Sequence, residues 1–170
     1  SLAADEAQVG WERVRAHEEA LRLAQSNGSF AEEFVARTDL TQALYRVPND
    51  PRNLVHFAWL RRALDSDRAL DQTDRDAVLW RLKWAVDLIE DTPEVGLDAL
   101  VAAIDDVEEV FRLDGYELRP VHAARARLAQ ERGDPDTARS ELAAWLAAPR
   151  DLQSDCQACD AWVLMACAAA

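Results

Sequence analysis

The chain has 170 residues, 49% of them hydrophobic and 30% charged, with only five Gly and six Pro. That balance excludes extended disorder and favours long helices over turn-rich sheets, and the length suits one continuous core over residues 1–170. A formal net charge of −13 sets up a field that repels phosphate backbones and anionic lipid heads, so neither nucleic acid nor a membrane surface is an expected partner.

The first apolar stripe is Gly10, Val14, His17, Leu21 and Ala24, with Trp11 beside it, which predicts an amphipathic helix over about 7–24. Ser26-Asn27-Gly28-Ser29 should stop it, since Asn and Gly tolerate a left-handed backbone and Ser29 can cap the next helix. Phe30, Ala31, Phe34 and Val35 then open a second helix to about Leu44, folded back on the first as a hairpin. Val47-Pro48-Asn49-Asp50-Pro51 is a break, because each Pro disfavours helix at the residue before it. Leu54, Val55, Phe57, Ala58, Trp59 and Leu60 are apolar nearly all round, which predicts a helix enclosed on several sides.

Past the polar stretch 71–76, Leu79, Leu82, Val86 and Ile89 form one stripe and Trp80, Trp84 and Leu88 another, implying two packing neighbours. Asp91-Thr92-Pro93 closes that helix and caps the next, whose stripe is Leu97, Leu100, Val101, Ile104 and Phe111. Asp114-Gly115-Tyr116 is a stop. A helix from Arg119 to Arg132, a turn at Gly133-Asp134-Pro135 and a partner helix from Asp136 to Ala147 make another hairpin. Pro149-Arg150-Asp151 breaks the chain again, and 161–170 reads as a helix with no cap after it, expected to be cut short at Ala170.

Residues 122–150 carry a more specific pattern. Gly133 in the turn, Ala138, Leu142 and Pro149, with Ala126 and Ala129 at the small positions of the first helix, resemble a tetratricopeptide (TPR) repeat. Pro149 sits one residue early for that pattern. The phrases Val47-Pro48-Asn49-Asp50-Pro51-Arg52, Leu79-Trp80-Arg81-Leu82-Lys83-Trp84 and Pro149-Arg150-Asp151 through Asp155-Cys156-Gln157-Ala158-Cys159 are also similar to those of uncharacterised TPR-like proteins of actinobacteria. The resemblance implies an all-α fold of antiparallel helical hairpins, stacked as a short TPR-like solenoid or compact helical array. It implies neither a reaction nor a set of binding residues.

The sharpest local motif is Cys156-Gln157-Ala158-Cys159, whose spacing lets two thiolates grip one zinc or close as a redox disulfide. Zinc needs two further ligands, and His17, His56 and His122 are remote, so structural or incidental thiols are the plainer reading and Cys156 and Cys159 remain metal candidates. Three Cys crowded into the last fifteen residues do not describe a secreted disulfide framework, so reduced thiols are expected. No apolar run spans a bilayer and the first residues lack a leader pattern, which predicts a cytoplasmic protein.

His122 with Arg119 and Arg125, at spacing three, is a candidate anion-binding or partner-binding cluster, although a solvated helix face explains it as simply. His17, on its apolar stripe, reads as a core residue. Asp105 with Glu108 or Glu109 shares one helical face and suits a cation or acid–base pair, but carboxylates opposite an apolar stripe usually serve solubility. Trp59, Trp80 and Trp84 read as core, and Trp145 as a candidate partner anchor. No cofactor is implied. The expected function is a non-enzymatic interaction module or scaffold; the alternatives are a structural segment of a larger protein with a Cys-based zinc or redox site, and an enzyme working from an acidic face.

Overall fold

The protein is described by a computed structural model over residues 2–47, 50–66, 68, 70–90, 96–154 and 156–168. The expected breaks at Pro48-Asn49 and Asp91-Thr92-Pro93, the side chains of Ile89, Trp162 and Cys167, and the chain's last two residues lie outside the described residues. Within these bounds the fold is all-α, with eight helices: α1 (Leu2–Asn27), α2 (Phe30–Tyr45), α3 (Arg52–Leu64), α4 (Gln72–Glu90), α5 (Leu97–Leu113), α6 (Arg119–Glu131), α7 (Pro135–Ala147) and α8 (Gln157–Ala168). Among the described residues no helix is long and apolar enough to cross a membrane. Length alone predicts one domain; the chain gathers into two compact units, Ser1–Gly96 and Leu97–Ala170.

In the first unit, Gly28 takes a positive φ of 67°, which ends α1 without a side-chain clash, and Ser29 accepts the Glu32 N–H to start α2. Gly10, early in α1, lies against Val47, just past the end of α2, whereas Gln25 late in α1 donates to Glu33 early in α2. The two helices are therefore antiparallel. Val14, Leu21 and Ala24 meet Ala36, Leu40, Ala43, Leu44 and Val47 in their shared core; His17, on the same stripe, is only half-buried.

The contacts Arg37 to His56 and Thr41 to Asn53 set α3 antiparallel to α2. The enclosure expected of α3 is corrected: Asn53, Phe57, Leu60, Ala63 and Leu64 are buried, but Val55 is 65% exposed and Trp59 half-buried. Packing on α2 and α4 covers one broad face of α3, and Val55, on another side, stays in water. The two neighbours expected for α4 are present, since Ala85 and Leu88 pack on Phe57 of α3 while Arg81 and Trp84 reach α2.

In the second unit, Gly133 with φ 70° turns the chain and Asp134 caps α7 by accepting the Thr137 N–H at 3.1 Å. Arg119 reaches the Trp145 backbone and His122 reaches Glu141, so α6 and α7 run antiparallel. Ala126, Ala129 and Ala138 are buried and bring the two backbones close. On α5, Leu100, Ile104, Val107, Val110 and Phe111 form the buried face; full burial of a side chain like Phe111 contributes about 1.5–3 kcal/mol. Helix α8 begins at Gln157 rather than 161, because the Cys156 carbonyl already accepts the Asp160 N–H at 3.0 Å.

Candidate functional site

In the first unit, aromatic rings that the sequence suggests are core lie at the surface under cations. Phe30, the first residue of α2, sits 5.6 Å from the Trp59 ring of α3 and 6.2 Å from Phe34. The Arg37 guanidinium lies 4.7 Å over Trp59, and that of Arg68 4.4 Å over Phe30. Elsewhere on the same unit, Tyr45 stacks on Trp84 at 4.4 Å, Arg81 lies 5.5 Å over Trp84, and the Lys83 ammonium lies 3.4 Å over Trp80. Trp59, Trp80 and Trp84 are each half-buried. A ring capped by a cation loses less by facing water, because the quadrupole of its face attracts the charge.

Arg37 organises the α2–α3 part of this surface. It is only 8% exposed, pairs with Glu33 one turn earlier at 2.7 Å, and directs Nη1 to the Nδ1 of His56 at 3.0 Å. A guanidinium can only donate, so His56 Nδ1 accepts and the neutral ring carries its proton on Nε2. Burial, reinforced by the charges of Arg37 and Arg52, lowers the His56 pKa from 6.5 to about 4. Close by, Arg52 joins Asp50 and Glu18 and lies 5.7 Å over Trp11. Its hydrogen bonds to Asp50 hold that carboxyl below the usual carboxylate range.

The cluster expected at Arg119, His122 and Arg125 does not form. Arg119 is 6% exposed; its Nη1 donates to the Trp145 carbonyl at 2.6 Å and to that of Ala148 at 3.3 Å, and its Nη2 lies 3.5 Å from Asp160. His122 pairs with Glu141 at 2.7 Å, and Arg125 with Asp105 at 2.8 Å and with Glu108. Residues three apart on a helix fall about 60° short of a full turn, so three such positions fan out to α7 and α8, to α7, and to α5 instead of converging. Trp145, 3% exposed under the Arg119 guanidinium at 4.0 Å, is core and offers no surface to a partner.

The acid pair on α5 serves as an anchor. Burial works to raise the Glu108 pKa, but hydrogen bonds from Arg112 and Arg125 outweigh it and the net shift is downward, which keeps the carboxylate ionised. That is the opposite of what a general acid needs.

Cys156 and Cys159 are joined in a disulfide with Cα atoms 5.2 Å apart, so the expectation of reduced thiols is corrected. In this state the sulfurs are bonded to one another and supply no thiolate for zinc. Among the described residues no group of three or more His, Cys, Asp or Glu is placed to hold a metal ion.

Comparison with known protein families, curated proteins and solved structures gives no match to this chain. Its residues alone bear on its function. Parts of the α2–α3 surface are local in sequence: Glu33 with Arg37 at spacing four, and His56 with Trp59 at spacing three. What joins them is the antiparallel pairing of two helices, which no local spacing encodes.

Proposed function

We propose that this chain is a non-enzymatic protein-interaction module of TPR-like type, acting in the cytoplasm, and that its partner contact is the Phe30–Trp59–Arg37 surface of α2 and α3. The observation that carries the reading is Trp59, half-buried between Phe30 and Arg37, with Val55 65% exposed one turn before it. Residues four apart share a helix face, so the two form one apolar strip beside fixed cations. Tryptophan and arginine held in place in this way are the side chains that dominate binding energy at interfaces. Glu33 and His56 hold Arg37, so ordering it costs a partner little.

The net charge of −13 selects the partner's chemistry: a basic segment bearing an apolar side chain, attracted by the long-range field and anchored on the aromatic strip. A photoreactive residue placed at Val55 should yield a discrete adduct in the native cell, competed by excess unmodified chain and mapping to a peptide of net positive charge. The same label at Arg139, exposed on α7, should give none. Equal yields from the two positions, or an acidic captured peptide, would overturn the proposal.

A further inference from the structure

The geometry points to Cys156–Cys159 being a reversible redox pair, which exchanges its disulfide with a vicinal dithiol of another protein through Cys159. Four observations carry this. The bridge closes over only two intervening residues, and stabilisation by a cross-link grows with the loop it closes, so this one is a weak staple for the fold. It lies at the start of α8, where Cys156 precedes the first helical residue and its Sγ accepts the Cys159 N–H at 3.1 Å. A helix N-terminus with a free N–H favours a thiolate at that position. Cys159 is exposed and Cys156 half-buried, so an incoming thiolate has better access to the former.

The fourth observation concerns the charge of Asp160. Asp160, in the first turn of α8, would by itself oppose a neighbouring thiolate. Here it is paired with Arg150 and lies 3.5 Å from Arg119, so its charge is compensated by two guanidiniums.

The exchange follows from this arrangement. A thiolate of the partner dithiol attacks Cys159 Sγ; a new sulfur–sulfur bond forms there, the Cys156–Cys159 bond breaks, and its electron pair leaves on Cys156 Sγ, where the Cys159 N–H receives it. The partner's second thiolate then attacks its own sulfur in the mixed disulfide and expels Cys159 as thiolate. Two electrons pass to the protein, the two protons of the partner's thiols pass to Cys156 and Cys159, and the partner departs as a disulfide. The reverse sequence oxidises the pair.

The test uses the full chain in a Cys167→Ser background, so that only the pair reports. In mixtures of reduced and oxidised glutathione, alkylation read by mass spectrometry should show complete and reversible conversion with the helical circular dichroism unchanged. With oxidised glutathione, Cys156→Ser should accumulate a stable adduct on Cys159, at least ten times faster than Cys159→Ser accumulates one on Cys156. A bridge reduced only in denaturant, or cysteines that stay free thiols in excess oxidised glutathione, would overturn the redox pair without need of either variant. Equal adduct rates in the two variants would overturn the assignment of Cys159 as the attacked sulfur.

Discussion

Each unit lays an arginine over a tryptophan, Arg37 on Trp59 and Arg119 on Trp145, and the two pairs do opposite work. Arg119 spends its N–H groups inward on the carbonyls of Trp145 and Ala148 and lies near Asp160, so the pair ties the end of α7 to the starts of α6 and α8. Arg37 spends its own on Glu33 and His56, one turn away and across one interface, and leaves Trp59 half in water. The chemistry of the pair is constant. What decides between a buried tie and a ring left half in water is how many elements cover the ring.

The sharpest way to break this comparison is Trp145→Ala, which should cost about 3–5 kcal/mol in denaturant unfolding, as truncation of a buried aromatic does. A loss below about 1 kcal/mol would mean that Trp145 is not a core residue. Trp59→Ala should cost less, about 1–2 kcal/mol, since only part of the ring is buried, while reducing partner capture from Val55 at least tenfold.

The pH dependence separates the pairs further. His56 has a folded pKa of about 4 against an ordinary 6.5, so the unfolded chain binds its proton first as pH falls. Its contribution is complete above about pH 6.5 and is lost progressively down to about pH 4. Solvent screening at this half-exposed site limits the loss to about 1 kcal/mol. Unfolding curves across that range should show the slope, and His56→Gln should remove it; an unchanged slope would place the titrating group elsewhere.

The smallest effects are expected at the helix caps, one in each unit. Asp134→Ala, which removes the acceptor of the Thr137 N–H, should lower stability by about 1 kcal/mol, and Ser29→Ala by about 0.5 kcal/mol. Thermal unfolding of both variants would check the order.

Periodicity and punctuation made the helices legible. The stripe Val14, Leu21, Ala24, the stops at Gly28 and Gly133, and the caps at Ser29 and Asp134 are local features, and the molecule uses them as local physics requires. Trp145 and Trp59 were not legible in the same way. Both lie on apolar stretches, and only their neighbours distinguish them: Trp145 is buried under Arg119, 26 positions earlier, whereas Trp59 meets Phe30 and Arg37 of α2 and still keeps part of its ring in water.

The sequence by itself therefore determined an all-α chain and most of its helix boundaries, because capping, left-handed glycines and the 3.6-residue repeat act over a few residues. Tertiary structure alone decided that Arg119, His122 and Arg125 part company, that Arg37 meets His56 and Trp59, and that Arg150 and Arg119 compensate Asp160 beside the Cys156–Cys159 bridge. Each of these depends on which helix packs beside which, and burial and charge pairing take their sign from that neighbour.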